Sequence, residues 1–185
     1  MKLNLGCGFN KKEGFVNVDK FDTCNPDMVA DMEVFPWPWD DNSVDEVLFD
    51  HSLEHMGQMT DVFLGIIKEL YRVCKKDVVV QINVPHPKHD NFISDPTHVR
   101  IITPQTLKLF SKVHNKHCVS VGAQDTPLGL YLNVDFEVID VKMFPVDTYL
   151  KLLHENIMSM PEFSEIIIER NNIIHSFNIT MKVIK

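Results

Sequence analysis

Lys2-Leu3-Asn4-Leu5 runs without a break into Gly6-Cys7-Gly8, a short apolar strand that ends on two glycines one residue apart. Leu3 and Leu5 alternate as a buried strand requires, and the glycines allow positive φ angles and the close approach of bare backbone to a ligand. A strand feeding such a turn opens the α/β folds that hold a nucleotide-like cofactor at the carboxyl edge of a sheet. The feature confines the chain to an α/β architecture and places its candidate binding loop at residues 6–8.

The rest of the chain follows that rhythm. Gly14–Asp19 alternates apolar and polar residues and reads as a second strand ending on an acid. Only Phe9–Glu13 separate the two strands, too few residues for a crossover helix, so a parallel pair implies an abbreviated turn or a wide loop. Asp27–Asp31 reads as a short third strand and Val44–His51 as a longer fourth, with the proline-broken loop Phe35–Trp39 between them. From Thr60, the expected N-cap, residues Phe63, Ile66, Ile67, Leu70 and Cys74 recur at helical spacing. Val78–Val84 is a β-branched run suited to a central parallel strand.

Pro85–Pro104 shows no periodicity and reads as a loop over the active face. Thr103-Pro104 opens a helix to about Val113. Phe136–Val141 and Ile179–Ile184 alternate as late strands, the last closing the sheet, and Thr148–Arg170 reads as an amphipathic helix broken near Pro161. Asn115–Asn133 has no readable pattern. No repeat, linker or low-complexity tract divides the chain, so 1–185 is expected to be a single domain: a cofactor half at about 1–85, an acceptor loop at about 85–104 and possible cap helices at about 147–171.

Side by side along a carboxyl edge, the Gly-x-Gly turn, Asp19 and Asp31 describe an adenosine site: one carboxylate accepts ribose hydroxyls and the next an exocyclic amine. Taken singly, each acid also reads as an ordinary turn or capping residue. In order, Leu3-Asn4-Leu5-Gly6-Cys7-Gly8, Val18-Asp19, Ala30-Asp31-Met32, Phe35-Pro36, Asn42-Ser43-Val44-Asp45, Leu53-Glu54-His55, Glu69-Leu70-Tyr71-Arg72-Val73 and Val84-Pro85 resemble class I S-adenosylmethionine-dependent methyltransferases, specifically the type 11-like members.

The resemblance implies a Rossmann-like, doubly wound, mostly parallel sheet with an antiparallel last strand, in a three-layer α/β/α sandwich, and a minimal form lacking N-terminal helices. It implies S-adenosylmethionine as cofactor, with Gly6, Cys7 and Gly8 against its methionine part, Asp19 on the ribose, Asp31 and the backbone of Met32 on adenine, and His51 beside the methyl group. Asn4 replaces the family's usual first-strand acid, Asn10 its third glycine, and the gap from Gly8 to Asp19 is short.

Methyl transfer to a hydroxyl or amine needs a base, and His51, His98 and His86 are the candidates. Asp95-Pro96-Thr97-His98-Val99-Arg100 stands out: Pro96 sets a turn, Asp95 can cap it or pair with Arg100, and His98 can accept a proton. The segment resembles a loop of methyltransferases that act on saccharides and surface polymers. His86, His89, Asp90, Asp95 and His98 are spaced irregularly, without the i, i+4 histidine pair of a helical metal site, so no metal site is expected. Leu53-Glu54-His55 is expected to orient the loop, Trp37 and Trp39 to anchor their own loop, and Cys7 to be unreactive.

A net charge of −8 argues against a phosphate-backbone substrate, four scattered cysteines argue for a reducing compartment, and no apolar run suggests export or a membrane span. The resulting expectation is a cytoplasmic monomer or homodimer that methylates an oxygen or nitrogen of a small molecule or saccharide. A non-catalytic cofactor-binding interaction module and an RNA methyltransferase are the alternatives. A dinucleotide enzyme would carry a third glycine at residue 11, where this chain has Lys11.

Overall fold

Alternating apolar residues carry β1 (Lys2–Leu5), β4 (Val44–Asp50) and β5 (Cys74–Pro85) to the centre of one sheet, where Leu3, Leu5, Val47, Phe49, Val80 and Ile82 bury completely on the same face. The computed structural model describes residues 1–185. Beyond β1 lie β2 (Val16–Asp19) and the two-residue β3 (Met28–Val29), both parallel. Beyond β5 lie β7 (Ile174–Val183) and β6 (Phe136–Pro145), both antiparallel to their neighbours. The order is β3-β2-β1-β4-β5-β7-β6, so the winding reverses between β1 and β4, where an open α/β sheet binds its ligand.

The doubly wound sheet and its antiparallel last strand are as the sequence leads one to expect, with one correction. The last strand does not close the sheet at its edge: β7 is inserted between β5 and β6, and β6 is the edge strand. Burial explains the order. Phe177, Ile179, Met181 and Val183 of β7 are all buried, whereas β6 leaves Ile139, Val141 and Met143 exposed.

One helical layer packs on the apolar face. It comprises α1 (Thr60–Val73), which buries Phe63, Ile66, Ile67, Leu70 and Val73, with α3 (Pro104–Lys108), α4 (Lys112–Val121) and α5 (Leu128–Leu132) beside it. Met59, not Thr60, is the N-cap of α1. Thr103 does cap α3 through its side chain, but that helix ends at Lys108 and a new one restarts behind the Ser111 cap. The unreadable stretch 115–133 is therefore the rest of α4, a turn at Gly122 and α5.

By strand alternation Ile174 faces the opposite side from Phe177 and Ile179, and there α6 (Asp147–His154) and α7 (Met160–Glu169) pack Tyr149, Leu153 and Phe163 against Ile173 and Ile174. The helix break falls at residues 155–159. Pro161 sits in the first turn of α7, where its missing N–H costs nothing, behind a Ser159–Glu162 capping box.

Elsewhere on this second face the strands present polar residues, the direct result of the short β1–β2 connection. With no crossover helix to bury, the face carries Asn4, Asn17, Asp50 and Asn83, and the loop after Gly8 lies over it. Asn4 Nδ2 donates to Asn17 Oδ1 (2.9 Å) and to Asn10 O (3.1 Å), Asn10 Nδ2 donates to Asp50 Oδ2 (2.8 Å), and Lys12 pairs with the same carboxylate (3.0 Å).

Trp37 and Trp39 are buried, as expected of anchors. Arg72 of α1 donates to both their carbonyls, and Trp37 Nε1 donates to Met32 O (3.0 Å), which fixes the loop after β3. No helix is long and apolar enough to cross a membrane.

Candidate active site

The two glycines of the first turn have different reasons to be glycine. Gly6 (φ +69°) has no room for a side chain, because a Cβ would lie 2.6 Å from Ser52 Cβ and 2.9 Å from Met56 Cε. Ser52 in turn donates its hydroxyl to Leu5 O (2.6 Å), so Gly6 lets the end of β4 close on the end of β1. A Cβ on Gly8 (φ +48°) would meet nothing within 4 Å: here the backbone borders open space.

Asp19, at the end of β2, ties the turn to its own strand. Its Oδ2 accepts from Gly8 N (2.8 Å) and its Oδ1 from Phe21 N (2.9 Å), and each oxygen keeps a further lone pair for a ligand. After β3, Asp31 Oδ1 accepts from Glu33 N (2.9 Å), which leaves Oδ2 without a protein donor. The Met32 N–H likewise has no acceptor within the chain. An unpaired acceptor and an unpaired donor thus stand on consecutive residues.

His51 follows β4 at φ +54° and donates its backbone N–H to Asn83 O (2.9 Å). Its Nδ1 lies 3.6 Å from Oε1 of Glu54, a carboxylate buried in the short 3₁₀ turn Leu53–His55. Glu54 beside it raises the His51 pKa above the ordinary imidazole value, against the lowering effect of burial. The other Glu54 oxygen, Oε2, is buried with no hydrogen-bond partner, and the carboxyl group has the imidazoles of His51 and His98 for neighbours, 3.6 Å and 4.0 Å from Oε1.

These residues meet at one cavity of about 380 Å³. Of the sequence-derived cofactor residues, Gly6, Gly8, Asp19, Asp31, Met32 and His51 line it and Cys7 does not. Cys7 is buried beside Cys24, and burial, with Asp19 nearby, pushes its thiol up to about 11, so it is inert at neutral pH. The lining also includes Lys20, Phe21, Ala30, Glu33, Ser52, His55, Met56 and Thr97, which sequence reasoning missed. An aromatic two residues after Asp19 was the one available signal, and it points to Phe21, which the structure leaves exposed.

The structure separates the three candidate histidines. His51 lines the cavity; His98 and His86 do not. His98 is only 9% exposed, with Nδ1–H donating to Phe92 O (2.9 Å), its ring stacked on Phe92, and Nε2 turned toward Asp95 and Glu54. It holds the loop together. His86 packs on Phe177 and accepts from Lys88 N through Nδ1 (3.1 Å), and burial lowers its pKa.

Asp95 pairs with Thr97 rather than Arg100, whose guanidinium instead reaches the Gly57 carbonyl and lies 4.6 Å from the Phe63 ring centre. Val99 N and Arg100 N both donate to Glu54 O, so the Leu53–His55 turn does bind the histidine loop. That loop, which contains the four-residue α2 (Asp90–Ile93), is tied to the end of α7, where Lys88 Nζ donates to Ile168 O (2.8 Å), and to the α7–β7 connection, where Asp90 N donates to Asn172 Oδ1 (2.8 Å). No residue of α6 or α7 lines the cavity.

No protein-family model matches the chain, and no curated protein does. Solved structures match it over nearly its whole length. A SAM-dependent methyltransferase from Archaeoglobus fulgidus superposes with a TM-score of 0.61 at 20% identity, covering 98% of this chain and 85% of that one. A second, from Methanosarcina mazei, gives 0.55 at 13% identity over 99% and 92% of the two chains. This is the class I S-adenosylmethionine-dependent methyltransferase fold. A further structure of this fold is the 1,6-didemethyltoxoflavin-N1-methyltransferase of Burkholderia thailandensis, with its substrate and S-adenosylhomocysteine bound (TM-score 0.53, 12% identity, 100% and 71% covered). In the methyltransferase fold, the cavity found here occupies the switch point between β1 and β4.

Proposed function

We propose that the chain binds S-adenosylmethionine in this cavity and transfers its methyl group to an oxygen or nitrogen of a small molecule or saccharide, with His51 as general base. The observation that carries the reading is the meeting of open backbone at Gly8, two carboxylates and a carboxylate-backed histidine on one cavity. The residues fit the cofactor: Asp19 accepts from ribose hydroxyls, Asp31 Oδ2 accepts from the adenine amine, Met32 N–H donates to a ring nitrogen, and Phe21 offers an apolar face. Asp19, Asp31 and Glu33 make the wall acidic, which suits a cationic ligand. When bound, the sulfonium supplies an activated methyl group.

The chain's own part is alignment and proton removal. Glu54 faces His51 Nδ1 at 3.6 Å, which leaves Nε2 for the acceptor proton, and the same buried carboxylate stabilises the imidazolium that forms. His51 must be neutral to act, so turnover is expected to rise with pH through its raised pKa. Glu54→Gln removes the carboxylate that raises it. The acid limb of the kcat/KM profile is then expected to move to lower pH while kcat falls; an unmoved limb would show that Glu54 does not act through His51.

Calorimetry on the whole chain with S-adenosylmethionine and S-adenosylhomocysteine tests the cofactor, and label transfer to a panel of hydroxyl and amine acceptors tests the reaction. Absence of binding by both cofactor forms sinks the proposal. Binding without transfer to any acceptor would leave a cofactor-binding module in its place.

A further inference from the structure

Away from the cavity, the turn after α4 brings together a histidine, a cysteine and an aspartate. His114 and Cys118 stand at i, i+4 on one side of α4, the spacing at which helical side chains meet. Gly122 (φ +70°) caps the helix and reverses the chain, Ala123 N donates back to Cys118 O (2.9 Å), and Asp125 is carried over the same helical face. His114 Nε2 lies 2.9 Å from Asp125 Oδ2 and 3.4 Å from Cys118 Sγ, and Cys118 Sγ lies 3.8 Å from Asp125 Oδ2.

That triangle can be compared with the face of a zinc tetrahedron. Bond lengths of about 2.3 Å to sulfur and about 2.0 Å to nitrogen and oxygen give tetrahedral edges of about 3.5 Å for S–N, about 3.3 Å for N–O and about 3.5 Å for S–O. Two edges match within a few tenths of an ångström. The third requires that the His114–Asp125 hydrogen bond open from 2.9 Å to about 3.3 Å, and because Cys118 Sγ lies 3.9 Å from Nδ1 as well, the imidazole must also turn to aim Nε2 at the ion.

We propose that His114, Cys118 and Asp125 bind a zinc-class divalent cation that pins α4 to the 122–127 turn, its fourth position left to water. Thiolate, imidazole and carboxylate together select zinc over calcium or magnesium, which take oxygen ligands only. Charge balances: one thiolate and one carboxylate neutralise the ion, and the Cys118 proton leaves to solvent. Access exists as well, since the His114 and Asp125 side chains are 26% and 36% exposed above a buried Cys118.

Gln105 of α3 donates to Asp125 Oδ2 (3.3 Å), so a fourth residue steadies the carboxylate. None of the three ligands lines the cavity, and the site stands independently of the methyl-transfer reading. The other cysteine-containing cluster, Cys7–Asp19–Cys24, is a weaker candidate because it has no histidine and its one carboxylate, Asp19, lines the cavity, where the proposed function assigns its free lone pairs to the ribose.

Cobalt(II) tests this directly on the metal-stripped full chain. One equivalent is expected to give a thiolate-to-cobalt charge-transfer band in the near ultraviolet together with tetrahedral d–d bands. Cys118→Ser should abolish the charge-transfer band, Cys24→Ser should leave it, and His114→Ala should weaken cobalt binding by at least roughly tenfold. Zinc should raise the Tm of the unsubstituted chain but not that of Cys118→Ser. If Cys118→Ser does not fold, Asp125→Asn on the outer turn serves with the same readout and should weaken binding likewise. Absence of the band at one equivalent, or a band lost in Cys24→Ser and kept in Cys118→Ser, overturns the proposal.

Discussion

Asp19→Ala is expected to raise the Kd for S-adenosylhomocysteine by at least about a hundredfold. A hydrogen bond to a charged group contributes about 1.5–3 kcal/mol, and two ribose hydroxyls on one carboxylate therefore amount to about 3–6 kcal/mol, or roughly 10²–10⁴ in affinity. The substitution also releases Gly8 N and Phe21 N, so the turn that frames the cavity loosens at the same time. Asp19→Asn separates the two effects. It retains one acceptor oxygen and the side-chain shape, and should lose less affinity than the alanine. Calorimetry decides the matter, with a thermal melt to confirm that each variant is folded: a change of threefold or less in Asp19→Ala would refute the ribose assignment.

The Gly6–Asp31 side of the cavity was legible because its residues lie at strand ends, and strand ends are marked locally by where apolar alternation stops. Asp19 and Asp31 both terminate such runs. The long α1 was legible for the same reason, since Phe63, Ile66, Ile67 and Leu70 repeat along one buried stripe, although Cys74, which the same spacing assigns to the helix, begins β5. The insertion of β7 between β5 and β6 was not, because pairing order is a non-local property and both late strands alternate equally well along the chain.

Residues 115–133 resisted reading for a different reason. The helix α4 exposes Val113, Val119 and Val121 while burying Asn115, so its apolar residues mark the wrong face. Asn115 belongs inside because its amide is satisfied at both ends: Nδ2 donates to Leu109 O (3.0 Å) and Oδ1 accepts from Leu130 N (3.2 Å), joining α4 to the segments on either side. A buried amide of this kind is invisible to hydropathy. The histidines show the same limit, since three similar residues in the sequence become one cavity wall and two loop braces only when Phe92, Phe177 and Glu54 are placed around them.

Replacing the two glycines of the turn is expected to give opposite results. Gly6→Ala should lower unfolding stability by about 2–5 kcal/mol in urea titration, the sum of about 1–2 kcal/mol for a left-handed residue and about 1–3 kcal/mol for forcing a methyl into a packed site. The methyl would lie against Ser52 Cβ at 2.6 Å, an atom with no freedom to withdraw, because the Ser52 hydroxyl is hydrogen-bonded to Leu5 O. Ser52→Gly in the same chain removes the Ser52 clash and leaves the flexible end of Met56, 2.9 Å away, and the backbone strain. The double variant should therefore be more stable than the sum of the single losses implies, a coupling that residues in contact show and distant ones do not. Gly8→Ala adds its methyl where no protein atom lies within 4 Å. Its stability cost should be the left-handed term alone, about 1–2 kcal/mol, while cofactor affinity drops because the space it fills borders the cavity. Equal destabilisation by the two alanines would mean that Ser52 does not limit the space at Gly6, and undiminished affinity in Gly8→Ala would mean that the turn meets a ligand through something other than the bare backbone at Gly8.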